Sequence, residues 1–135
     1  MRCRPFSIAE GWSLIHDILF GCGDKSMRDL GCIQFMHHCA KENFFSDIFD
    51  EVAIVAAVKT NHHVRLITVA VLEEHQRKGY GRKILFYEMR KAIRLGLREI
   101  TFQTGIDSEA EKFWRKMGAI VTGRKNSEWE MKLQF

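Results

Sequence analysis

The sequence predicts an α/β fold in which a mixed β-sheet carries helices on its faces. Three observations lead there. Two β-branched, nearly all-apolar segments, "VAIVAAVK" (52–59) and "VRLITVAVL" (64–72), read as strands buried on both faces. A strand, an amphipathic helix and another strand follow one another from Val64 to Thr104, so those two strands should run parallel. The chain closes on "AIVTGRKNSEWEMKLQF", where Trp129, Met131 and Leu133 alternate with polar residues as in a β-hairpin.

Each element has a local reason. "MRCRPF" suits a short first strand. "SIAE" (Ser7 to Glu10) reads as a capping box, with the serine capping and the glutamate reaching back. Ile8, Trp12, Ile15 and Leu19 then recur at helical spacing, and Gly21 and Gly23 stop that helix. A second helix is expected from about Met27 to Lys41, with Ile33, Met36 and Ala40 inward. "NFFSDI" is a strand, "FDE" a tight connection and "TNHH" a turn. In the next helix Leu85, Phe86, Met89, Ala92 and Ile93 form the apolar stripe, and Gly96 ends it. "REITFQT" (98–104) is a strand. "SEAE" (Ser108 to Glu111) is a second capping box, opening a helix with Ala110, Phe113, Trp114 and Met117 on one side and Gly118 at its end. The order is β-α-α-β-β-β-α-β-α-β-β.

Length and composition narrow the function classes. The 135 residues are one domain's worth, expected to span 1–135, and long enough for one real core without staples. With 46% hydrophobic residues, 28% charged and one proline, the composition is that of a globular chain rather than a disordered one. The most apolar early stretch, "IAEGWSLIHDILFGCG", carries Glu10, His16 and Asp17, so it reads neither as a membrane span nor as a signal-peptide core. An intracellular, cytoplasmic protein is expected. Cys3, Cys22, Cys32 and Cys39 are read as free thiols. Cys32, His37, His38 and Cys39 lack the paired spacing and second cluster of a metal site, so no metal is expected. The net charge of +4 favours an anionic partner without choosing among them.

The residues that carry chemistry are in "EEHQRKGYGRKIL" (73–85), where two glycines sit in a basic run between a strand and a helix. A helix that starts right after a strand leaves its first N–H groups without partners, and with the helix dipole they favour an anion. Gly79 and Gly81 allow unusual backbone angles and close approach. Gln76, Arg77, Lys78 and Arg82 add donors and positive field. The result is a cradle for a pyrophosphate. It is not a P-loop, because Gly81 is followed by Arg82 and Lys83 with no hydroxyl for magnesium. Nor is it the dinucleotide fingerprint, whose third glycine position holds Ile84.

"VAVLEEHQRKGYGRKIL" resembles the acetyl-CoA-binding motif of the GNAT N-acetyltransferases, Gln/Arg-x-x-Gly-x-Gly/Ala after the central strand. Gln76, Gly79 and Gly81 fill its defined positions. "DSEAEKFWRKMGA" is similar to the family's later helix at Ala110 and Gly118, and "RPFSIAE" to its usual opening. The resemblance spans about 64–120 well and the ends loosely. It implies a GNAT-like fold with about four helices and splayed parallel strands, with acetyl-CoA as co-substrate and an amine as acceptor. Val69, Ala70 and Val71 would offer backbone groups to the pantetheine arm and acetyl carbonyl. Amides from Arg77 through Lys78, Gly79, Tyr80 and Gly81 to Arg82 would bind the pyrophosphate. Asp107 stands at the family's asparagine position and Gln103 at its strand carboxylate. Trp114 occupies the position of the family's usual acid, a tyrosine. The indole N–H can donate a hydrogen bond but is no proton-transfer acid near neutral pH.

Acetyl transfer needs a base for the amine, donors for the tetrahedral oxyanion and a way out for the thiolate. A backbone N–H near Val71 would serve the oxyanion, and Glu73 or Glu74, at the end of the central strand, is the expected base. The first reading is therefore an N-acetyltransferase acting on a small-molecule or protein amine. The second is a GNAT-like module that binds CoA or a partner with little or no turnover, as a small phage structural protein would. Nucleic-acid binding through Arg77, Lys78, Arg82, Lys83, Arg90, Lys91, Arg94 and Arg98 ranks last, because no aromatic platform accompanies these cations. The acceptor's identity and the oligomeric state, a dimer included, stay open.

Overall fold

The computed structural model describes residues 1–5, 8–22 and 44–135. In chain order the elements are β1 (Cys3–Pro5), α1 (Ile8–Gly21), β2 (Phe44–Phe49), β3 (Ala53–Lys59), β4 (Val64–Val71), a single 3-10 turn (Glu73–His75), α2 (Tyr80–Arg94), β5 (Glu99–Gly105), α3 (Glu109–Lys116), β6 (Ile120–Lys125) and β7 (Glu128–Gln134). The capping serine Ser7, Gly23, the helix expected over 27–41 and the Cys32, His37, His38 and Cys39 group lie outside the described residues.

One mixed seven-stranded sheet runs in the order β1-β2-β3-β4-β5-β7-β6. β4 is central, antiparallel to β3 and parallel to β5. The sheet with helices on its faces is the mixed α/β architecture expected, with three α-helices among the described residues. Proline has no ladder N–H to give, and Pro5 accordingly sits on the short edge strand β1. Ala53 to Ala57 of β3 are fully buried because both faces of the sheet are covered. On one face, α2 and α3 pack Ile84, Leu85 and Trp114 against Phe49, Val55, Leu66, Ile100 and Met131. On the other, Ile18, Leu19 and Cys22 of α1 pack against Ile48, Ile54, Ala56 and Ala70.

A β-bulge makes this two-sided burial work along β4. Ala57 pairs with Leu66 and Ala56 with Thr68, so Ile67 is the extra residue. Without it Leu66 and Ala70 would share a face; with it they fall in different cores. β4 was expected to be apolar on both faces except at Arg65 and Thr68. Thr68 is in fact buried, while Ile67, Val69 and Val71 are half-buried, because the sheet opens beside them.

Two of the helices, α2 and α3, differ from their sequence patterns. On α2 the buried residues are Ile84, Leu85, Glu88 and Ala92, while Phe86 and Ile93 are exposed. The inward face is rotated from the expected stripe because a carboxylate belongs to it: Glu88 faces Asp47 of β2, and Lys91 Nζ lies 2.6 Å from Asp47 Oδ2. On α3 the cap is as expected, Glu111 N–H donating to Ser108 Oγ at 3.1 Å. The glutamate reaches one residue further back than the motif anticipates, accepting from Asp107 N–H at 3.0 Å. Ala110 is exposed toward the cleft rather than inward. Among the described residues no helix is long and apolar enough to cross a membrane.

Candidate active site

β4 and β5 are paired only where they begin, Val64 with Ile100 and Arg65 with Thr101. Past those residues each strand leans on its other neighbour, β4 on β3 as far as Val71 and β5 on β7 as far as Gly105. The two parallel strands therefore splay, as the resemblance implied, and the edge of β4 that faces β5 has no strand partner beyond Arg65. A cleft of about 1070 Å³ fills the gap. Its walls are Leu66 to Val71 of β4 and Phe102 to Gly105 of β5. Gln76, Arg77 and Gly79 to Arg82 close one end. Ser108 to Ala110, Phe113, Trp114, Ser127, Glu128 and Cys22 complete the lining.

The turn between β4 and α2 is built to present N–H groups. Arg77 (φ 61°) and Gly79 (φ 85°) both adopt left-handed backbone, and Gly79 is the residue that caps α2. A Cβ at Gly79 would meet nothing within 4 Å, so the need for glycine is conformational. Gly81 is different: its φ is ordinary, but an added Cβ would lie 3.1 Å from Phe113 Cζ, so glycine lets α2 close on α3. The first backbone bond back into this turn is Lys83 N–H to Gly79 O at 3.2 Å. Among the described residues, the amides from Arg77 to Arg82 donate to no protein acceptor. No acidic side chain lies in the first turn of α2. Arg77, Lys78, Arg82 and Lys83 make no ion pair among the described residues. The start of α2 is thus a set of free donors in a positive field at the mouth of the cleft.

Two side chains of the motif brace the turn instead of facing outward. Gln76 Nε2 donates to Cys22 O at 2.6 Å and Val71 O at 2.9 Å, tying the end of α1, the end of β4 and the turn together. Tyr80 O–H donates to Asp50 Oδ2 at 2.8 Å. The Arg2 amide and this phenol hold Asp50 below the usual carboxylate range, and Asp50 in turn pushes the Tyr80 phenol up. The Tyr80 O–H is thereby engaged by a carboxylate.

The remaining predicted residues divide. Val69, Ala70, Val71, Arg82 and Trp114 line the cleft with Gln76, Arg77, Gly79, Tyr80 and Gly81. Lys78 and Asp107 are exposed beside it, Asp107 with φ 61° at the entry to α3. Glu73 and Glu74 are on the 3-10 turn, outside the lining. Trp114 is largely buried and packs on Phe102, with ring centroids 4.3 Å apart, and on Phe113 at 4.9 Å. On the same helix, Glu111 is held below the usual carboxylate range by the Asp107 amide, Arg115 and Trp129. The carboxylates in the lining are Glu109 and Glu128. Sequence reasoning did not single out Thr68, Thr104, Phe113, Ser127, Glu128 or Cys22 as site residues. The parallel pairing of β5 could have marked Thr104, and the hairpin turn Ser127 and Glu128. Nothing local marks Cys22, which reaches the cleft because α1 ends there.

Residues 14–119 match the model of the acetyltransferase (GNAT) family. The chain belongs to that family. Among solved structures, the PaiA N-acetyltransferase of Thermoplasma acidophilum, in complex with coenzyme A, superposes with a TM-score of 0.80 at 13% identity, covering 99% of this chain and 98% of that one. An aminoglycoside 6'-acetyltransferase of type Ii follows at 0.77 and 14%, covering 99% and 97%. The ribosomal-protein-S18-alanine N-acetyltransferase of Escherichia coli gives 0.75 and 13%, covering 98% and 92%. No curated protein is similar enough in sequence to count as a match. For a GNAT chain so distant from its structural neighbours, those likenesses fix the fold, and its chemistry has to be read from the cleft.

Proposed function

We propose that this GNAT protein is an acetyl-CoA-dependent N-acetyltransferase, moving an acetyl group from the thioester to a primary amine of a small molecule or a protein. One observation carries the reading: unoccupied amides at the start of α2 open onto a gap between parallel strands. A pyrophosphate needs the first and an extended thioester arm needs the second. Two of the fold neighbours, PaiA and an aminoglycoside 6'-N-acetyltransferase, are coenzyme A complexes, which supports the same occupant here.

In this reading the amides from Arg77 to Arg82, with Arg77, Lys78 and Arg82, hold the pyrophosphate. The edge of β4 without a strand partner, at Val69, Ala70 and Val71, orients the arm, with the Val71 carbonyl held by Gln76, and an N–H at its end faces the thioester oxygen. The amine nitrogen attacks the carbonyl carbon, and the tetrahedral oxyanion is met by that N–H. The C–S bond then breaks and the thiolate leaves, while the amine's proton passes to a base or to water. Glu73 and Glu74 stand outside the lining, so a base role for either runs through water. Trp114 fills the tyrosine position and Tyr80 is committed to Asp50, so the thiolate leaves without a phenolic acid. That same observation favours the second reading, a CoA-binding module with slow or no turnover.

Incubation with acetyl-CoA and a panel of amines, followed by free-thiol release with thermal shift in parallel, tests both. Thiol release that depends on the amine supports the enzyme. Stabilisation by CoA without thiol release supports the module. The absence of both effects removes the CoA reading altogether.

A further inference from the structure

Helix α2 buries one group that neither the cleft nor apolar packing explains. Glu88 is 0% exposed, and Asp47 on β2, which it faces, is 1% exposed. Taken as two carboxylates, both Glu88 oxygens and Asp47 Oδ1 have no hydrogen-bond partner among the described residues. Only Asp47 Oδ2 is satisfied, by Lys91 Nζ at 2.6 Å, three residues after Glu88 on the same helix. Two adjacent anions in a dry interior against one ammonium is an arrangement the chain cannot hold, whereas one proton between them supplies the missing donor.

We propose that Asp47 and Glu88 share one proton in the core: Glu88 is a neutral acid whose O–H donates to Asp47 Oδ1, while Lys91 grips Oδ2. The triad is then electrically neutral, and α2 is fastened to β2 by one hydrogen bond and one ion pair. This does not depend on what occupies the cleft.

Among the described residues, the surroundings contribute no second cation. Cys3 of β1 and Tyr87 of α2 are hydrogen-bonded to each other beside the pair; burial raises the Cys3 thiol, and the Cys3 contact followed by burial raises the Tyr87 phenol, so neither carries charge near pH 7. On β3, Val55 stands opposite Asp47. Phe45 carries Lys91 Nζ over its ring at 4.1 Å. Burial first, then the charge of Asp47, pushes the Glu88 carboxyl up to about 8. An acid raised in the folded state contributes stability that is full below the unfolded carboxyl's value and is lost as pH climbs to the folded one. Stability should therefore decline between about pH 4.5 and pH 8 through this one group.

The test is urea unfolding of the wild type and Glu88→Gln at a series of pH values from 5 to 9. The substituted amide keeps a donor for Asp47 but has nothing to titrate. Between pH 5 and 8.5 the wild-type unfolding constant should rise on the order of a few hundredfold more than that of the variant. Parallel curves overturn the proposal. Should E88Q fail to fold, the wild type decides: with 13C-labelled glutamate, one side-chain carboxyl resonance keeps the protonated shift at pH 6.5 while the others are ionised. All carboxyls ionised at that pH overturns it as well.

Discussion

Gly79 separates the backbone argument from the packing argument. It holds φ 85° and ψ 8°, and a Cβ there touches nothing within 4 Å. A side chain at this position therefore costs strain alone, about 1–2 kcal/mol for an ordinary L-residue in left-handed backbone and less for asparagine. For a domain of this size that is a drop in Tm of about 3–8 °C for Gly79→Val. A relaxed residue 79 rotates the peptides on either side of it and turns amide donors away from the anion. Hydrogen bonds to a charged group contribute about 1.5–3 kcal/mol each, so losing one weakens CoA binding by about 10- to 150-fold. Gly79→Asn, which tolerates the left-handed region, should lose less than about threefold. Calorimetric titration with CoA reads the affinities, and thermal unfolding without ligand reads the strain. Equal losses in the asparagine and valine variants would refute the backbone argument; undiminished affinity in both would refute the cradle. Gly81→Val cannot serve the same purpose, because its Cβ lies against Phe113 and damages the packing of α2 on α3.

Other outcomes follow from the same geometry. Trp114→Phe should leave kcat within about threefold, because an indole N–H transfers no proton; a loss of about 100-fold or more would assign it an acid-like role. Gln76→Ala removes the donor shared by Cys22 O and Val71 O, and should destabilise the protein by about 1–3 kcal/mol while raising the KM for acetyl-CoA, read by denaturation and steady-state kinetics respectively. Glu73→Gln and Glu74→Gln, on the 3-10 turn, should each change kcat/KM by less than about threefold; a fall of about 100-fold in either would place the base there directly. Arg82→Ala should weaken CoA binding and flatten its dependence on salt, measured by titration at two ionic strengths.

Much of the fold was legible because short-range pattern and tertiary structure agree. The apolar runs at 52–59 and 64–72 are strands since both sheet faces are covered, and the glycine turn is a turn since no other residue holds φ 85° without strain. Three features were not legible, and each depends on distant partners. Glu88 enters the core because Asp47 and Lys91, on another strand and the next turn, make a protonated acid tolerable there; polarity alone argued for the surface. The bulge at Ile67 is a mismatch of register with β3, invisible in β4's own composition. Gln76 reads as a ligand donor until Cys22 and Val71 are seen to take its N–H groups. The glycine turn was readable as a motif, whereas the position of Glu73 and Glu74 relative to the cleft was not, since nothing in "EEH" says that its carboxylates stand outside the lining.

The central claim is that the amides between Arg77 and Arg82 grip a pyrophosphate and the splayed edge of β4 takes the arm beyond it. Amide NMR of the wild type, titrated with CoA, tests it directly. The account predicts saturable shifts concentrated at Arg77 to Arg82 and along Val69 to Val71, with little change at the β1 edge. Saturation with no shift in that turn, or shifts confined to another surface, would contradict it.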